Sequence, residues 1–122
     1  MPHSQAYQEF LTLLEKLNND FFSVEEETDV KSLPKQFQTV KAFFQQQIVG
    51  LTAPKLDEAI ATRWQSLQTE LYREFRLLDT DILFLISSRQ TETRSQRLKS
   101  VRDRLERIVG YSTAIKSCLT SE

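Results

Sequence analysis

The sequence predicts an all-α protein, an antiparallel four-helix bundle with two longer C-terminal helices. Three observations predict it. Leu98, Val101, Leu105, Ile108, Ser112, Ile115 and Leu119 recur in alternating steps of three and four, and six of these seven are apolar. That is the pattern of a helix with one narrow buried stripe. Most of the remaining chain obeys similar helical periods. Finally, 122 residues contain only two Gly and three Pro, too few turn formers for a sheet or a loop-rich fold.

Taken in order, the first helix has Ser4 as its N-cap. Ala6, Phe10, Leu14, Leu17 and Phe21 form its stripe, widened by Tyr7 and Leu11. Asn18, Asn19 and Asp20 weaken helix propensity, so the helix ends near them or frays through Phe22. Residues 23–31, with Glu25, Glu26, Glu27 and Asp29, read as an acidic connecting loop. Ser32-Leu-Pro34 starts the second helix, because proline is tolerated in a first turn that needs no amide donor. Phe37, Val40, Phe44, Ile48 and Leu51 form its stripe, and Gly50 with Thr52-Ala-Pro54 ends it.

The third helix resumes at Leu56 and continues for about thirty residues, a length of roughly 45–50 Å. Ile60, Trp64, Leu67, Leu71, Phe75, Leu78, Ile82 and Leu85 carry its stripe without a Gly or Pro among them. Asp79-Thr80-Asp81 is its weakest segment, and continuity through it is an open question. Thr93-Arg-Ser-Gln96 has the spacing of a capping box and predicts the start of the fourth helix at Thr93. Gly110 within that helix costs about 1 kcal/mol relative to Ala and offers a place for a neighbouring helix to approach closely.

Length and composition make this one domain over residues 1–122, large enough to bury its own core. With 39% hydrophobic and 27% charged residues it is too apolar for a disordered chain. A lone Cys118 excludes an internal disulfide and a cysteine zinc site, and suits a reducing cytoplasm. No secretory leader is expected, and the longest apolar run, Ile82 to Ile86, is too short to span a bilayer. These features are compatible with a cytoplasmic protein without a membrane span, expected as monomer or homodimer.

Catalytic chemistry finds no foothold. His3 has no His or Cys partner at ligand spacing. Asp79 and Asp81 lie two apart, so on a continuous helix they point about 200° from each other. They are expected on a solvated edge or paired with a basic residue nearby. Cys118 sits at a helix C-terminus, where the dipole disfavours a thiolate. There is no Gly-rich phosphate loop. No enzyme, metal or cofactor is expected.

Charge is distributed unevenly. Residues 1–60 carry five basic and nine acidic side chains, whereas residues 61–122 carry eleven and eight. Between Arg89 and Arg107 there are seven basic residues against three acidic ones. With Leu98 and Leu105 at core positions, Arg97 and Arg104 occupy one flank and Arg102 the other, outside the core. Arg94 and Arg107 enlarge this surface. These five arginines are the candidate partner-binding residues, suited to carboxylates or phosphates. A solvated helix with internal salt bridges, a protein partner and a nucleic acid are all open readings. A pI near 5.9 weighs against the last, as do Asp103 and Glu106. The aromatic residues Phe21, Phe22, Phe37, Phe43, Phe44, Trp64, Phe75, Phe84 and Tyr111 are expected mostly in the core. One member of each of the pairs Phe21/Phe22 and Phe43/Phe44 is expected at its edge.

The sequence also resembles a group of small cyanobacterial proteins, the heterocyst frequency control protein PatD family. The resemblance rests on Phe44-Gln-Gln-Gln-Ile-Val-Gly-Leu-Thr52, Leu67-Gln-Thr-Glu70 and Arg76-Leu-Leu-Asp-Thr-Asp-Ile-Leu-Phe-Leu85. It continues in Arg89-Gln90 and the Arg102-to-Leu105 stretch, a dispersed pattern over residues 5–115. It implies a non-enzymatic cytoplasmic regulator of heterocyst frequency and cell division that contacts the tubulin-like FtsZ. It supplies no site motif to transfer. The alternative is a nucleic-acid-binding regulator using Arg94, Arg97, Arg104 and Arg107.

Overall fold

Four α-helices account for most of the chain in the computed structural model, which describes residues 3–22, 30–52 and 54–119. They are α1 (His3–Phe21), α2 (Leu33–Phe43), α3 (Glu58–Ser87) and α4 (Thr91–Leu119). A 3₁₀ turn over Val30–Ser32 leads into α2, and a wide π turn over Phe44–Ile48 closes it. Residues 23–29 of the acidic connection lie outside the described residues.

Side-chain partners give the directions. Leu17 faces Gln36, whereas Glu9 and Thr12 face Phe43 and Gln46, so α1 and α2 run antiparallel. His3 donates to the Thr52 carbonyl at 2.6 Å, tying the start of α1 to the end of the second helical stretch. Phe44 meets Tyr72 while Lys41 meets Asp79, so α3 runs antiparallel to α2. The short connection Ser88–Gln90 returns α4 along α3, and Lys116 of α4 reaches Gln8 of α1. The bundle is therefore antiparallel, and its two C-terminal helices are the long ones, with 30 and 29 residues. The aspartates do not interrupt α3, because each carboxylate has a cation on a neighbouring helix: Asp79 has Lys41, and Asp81 has Arg104.

The predicted stripes form one core. Phe10, Leu14, Leu17, Val40, Ile48, Leu71, Leu78, Leu85, Leu105, Ile108 and Ile115 are all buried. At its centre Phe44 and Phe75 stack with ring centroids 4.0 Å apart, flanked by Phe10, Phe37 and Tyr72. The π turn serves this centre. In it the Val49 N–H bonds to the Phe44 carbonyl at 2.9 Å, and Phe44 and Ile48, four residues apart, both remain buried.

Several local expectations are corrected. Helix α1 already includes His3, so Ser4 lies inside the helix and is not its cap. Helix α4 begins at Thr91, and the Gln90 carbonyl accepts the Arg94 N–H at 2.9 Å. Thr93 and Gln96 thus sit within α4 and form no capping box. Both Phe21 and Phe22 are buried: the Phe22 N–H still bonds to the Asn18 carbonyl at 2.8 Å, and the two rings pack together with centroids 6.2 Å apart. Phe43 is half-buried beside buried Phe44, as the edge expectation has it. Phe84 is on the surface, 50% exposed. No atom of a neighbouring element lies within 4 Å of where a Gly110 Cβ would stand, so no helix approaches closely there. At Gly50 a Cβ would stand 2.8 Å from the Gln46 carbonyl oxygen, which explains glycine after the π turn without any positive φ.

Candidate functional site

The five arginines of the sequence reading do not form one face. Arg104 points inward between α3 and α4, with only 18% of its side chain exposed. Its Nε donates to Asp81 Oδ2 at 2.6 Å and its Nη1 to Glu74 Oε2 at 2.8 Å. Burial alone would lower its pKa, but the bonds and charges of Asp81 and Glu74 outweigh that and raise it. Arg104 is a permanent structural cation, not a flank residue outside the core. Its presentation to phosphates, which the nucleic-acid alternative requires, is absent from this geometry.

Arg107, half-exposed, shares the same Glu74 carboxylate at 3.5 Å. Arg94 donates to the Ser88 carbonyl at 3.1 Å and so closes the turn between α3 and α4. Arg102 lies on the opposite flank, its Nε buried without a hydrogen bond. Arg97 is exposed, and its guanidinium lies 4.9 Å from the centroid of the Phe84 ring. A cation over an aromatic face at this distance is attracted by the ring quadrupole. Of the five, Arg97 and Arg107 present charge outward along the α3 flank of α4.

Residues that the sequence reading did not select complete this surface. Leu77, Leu83, Phe84 and Ile86 are exposed large hydrophobic residues within ten positions of α3, with Leu83 at 60%. Leu77 and Phe84, seven apart, share one side of α3 beside Arg97, whereas Leu83 and Ile86 face other directions around the helix. An exposed apolar pair beside a cation is a candidate interaction surface. The signal was present in the sequence. Five consecutive apolar residues, Ile82 to Ile86, cannot all face inward on a helix whose core line takes Ile82 and Leu85. Glu74 was also findable, since it falls between Leu71 and Leu78 on the buried line of α3 and demands a cation from another helix.

Elsewhere, an open groove of about 620 Å³ runs between α2 and α3 over Phe44, Tyr72 and Phe75, with the Lys41–Asp79 pair at its rim. Its charges are mostly neutralised by each other. Among the described residues no group of three or more His, Cys, Asp or Glu side chains could hold a metal ion. No described helix is long and apolar enough to cross a membrane. Comparison with protein-family models, with curated proteins and with solved structures yields no match in any of the three.

Proposed function

We propose that this chain is a non-enzymatic regulator that binds a protein partner, the tubulin-like FtsZ, and modulates its assembly. Through that contact it regulates cell division and heterocyst frequency in the cytoplasm. The observation that carries the reading is the surface where the Arg97 guanidinium lies over the exposed Phe84 ring, with exposed Leu77 seven residues earlier on the same side of α3. Apolar anchors supply the desolvated centre of a protein contact, and arginines supply bidentate bonds to carboxylates at its edge. The name of the partner rests on the resemblance to the PatD family and on the acidic character expected of tubulin-like polymers.

The test is sedimentation of polymerised FtsZ with and without the protein. Wild type should co-pellet and change the amount of polymer. The variant Arg97→Gln/Arg107→Gln removes two outward charges while leaving Glu74 its bond to Arg104. It should keep its fold, lose most of the co-pelleting and show a weaker response to added salt. If wild type neither pellets with FtsZ nor alters its polymer, the proposal is wrong.

A further inference from the structure

The groove between α2 and α3 takes no part in the proposed partner contact, which lies on the α4 side of α3. Its floor is aromatic. Phe44 and Phe75 stack at 4.0 Å, and the half-buried Tyr72 ring stands edge-on to Phe44 at 5.6 Å. The π turn forms the α2 wall, contributing Phe44 and Gln45 and leading to exposed Val49 on the lining. Such turns are rare in helices and fall frequently at functional sites. At about 620 Å³ the groove lies within the roughly 300–1,000 Å³ of small-molecule sites.

The charges decide the kind of ligand. Lys41, Arg76 and Asp79 are the charged residues of the lining. Asp79 stands three positions after Arg76, a spacing at which the two could pair along the helix. Instead its carboxylate accepts from Lys41 of α2 at 2.9 Å. Arg76 is exposed and has no ion pair among the described residues, so the lining keeps one positive charge in excess. We infer that this groove binds a small aromatic acid, a flat apolar body bearing one anionic group. The body lies against Tyr72, Val49 and the Phe44 edge, where aromatic rings meet edge to face. The anionic group takes the Arg76 guanidinium, whose paired N–H donors match two oxygens of an acid. A cation would be repelled by Arg76, and a dianion would bring a charge that the lining does not match.

The inference stands apart from the FtsZ reading, and its test contains no FtsZ. The probe is anilinonaphthalene sulfonate, an aromatic monoanion whose fluorescence rises in apolar surroundings. N-phenylnaphthylamine, the same ring system without the sulfonate, is its neutral counterpart. Titration of the full chain with the anionic dye should saturate at one dye per chain. Arg76→Gln should raise the dissociation constant of the anionic dye about fivefold or more, because it removes the cation that the sulfonate pairs with. It should leave the neutral dye within about twofold, because the apolar contacts are kept. Val49→Asp sets a negative charge on the lining and should also weaken the anionic dye. Both residues are exposed, so both variants should melt with the wild type, which separates a lost site from a lost fold. No saturable binding of the anionic dye to the wild type would overturn the inference. So would an Arg76→Gln variant that binds both dyes as the wild type does. Loss of the anionic dye in Arg97→Gln, with Arg76→Gln unaffected, would place it beside Phe84 and overturn the inference as well.

Discussion

Replacing Arg104 by methionine separates a structural arginine from a surface one. Methionine keeps the aliphatic stem and removes the cation. What remains is Glu74, with 10% of its side chain exposed, and Asp81, with 18%. Both carboxylates lose their closest partner, at 2.8 and 2.6 Å, and Glu74 retains only Arg107 at 3.5 Å. Removing one member of a buried ion pair costs about 3–5 kcal/mol. Arg107 and the partial solvation of Asp81 put this case at the low end, about 3 kcal/mol. For a chain of this size that is a fall of roughly 12 °C in melting temperature. The arginine cannot escape by losing its proton, because Asp81 and Glu74 raise its pKa despite its burial. Urea unfolding followed by fluorescence of the single Trp64 and by circular dichroism measures the loss. Replacing Glu74, Asp81 and Arg104 together by methionine or leucine should recover most of it, because no buried charge is then left without a partner. An Arg104→Met variant within about 0.5 kcal/mol of wild type, the range of ordinary surface changes, would refute the reasoning.

Three further substitutions follow from the packing. Gly110→Ala should stabilise by about 0.5–1 kcal/mol, since a Cβ there meets no neighbouring element and the unfolded chain loses freedom. Gly50→Ala should lower the melting temperature, since its Cβ would press on the Gln46 carbonyl at 2.8 Å. A fall for the first or a rise for the second would contradict the structure. Burial, with Tyr72 beside it, pushes the Tyr7 hydroxyl far above its ordinary pKa. The folded protein therefore holds Tyr7 neutral where the unfolded chain ionises it, near pH 10. This stabilisation is fully present below that pH and is lost as pH rises above it, by about 1.4 kcal/mol per pH unit. Tyr7→Phe should make the alkaline decline shallower. It should change stability little at neutral pH, because the buried hydroxyl has no closely placed hydrogen-bond partner and interacts only weakly with the Gln68 side chain. Unfolding free energies of both proteins at pH 7 and at two or three values above pH 10 check this, and parallel alkaline slopes would count against it.

Helical periodicity is a local property, and what depends on it was readable along the chain. The line Leu71, Phe75, Leu78, Ile82 and Leu85 is buried because its members recur once per turn, whatever they pack against. The same reasoning assigns four helices, puts the longest two last and places Asp79 and Asp81 on different sides of α3. It also contains the exposure of Leu83 and Phe84, once Ile82 and Leu85 are given to the core. Helix ends were less readable. Thr93 and Gln96 have capping spacing, yet α4 starts at Thr91, because the turn held by Arg94 on the Ser88 carbonyl lets the helix begin earlier. The arginines could not be sorted from sequence at all. A helical wheel puts Arg97 and Arg104 on one flank of α4 as equals. Arg104 lies opposite Glu74 and Asp81 of α3 and is drawn inward, whereas Arg97 lies over the Phe84 ring and keeps its charge in water. That difference comes from the register of α4 against α3, which is set by packing between residues twenty to thirty positions apart in sequence. No spacing within α4 encodes it, because the energy that decides it belongs to pairs of side chains on different helices.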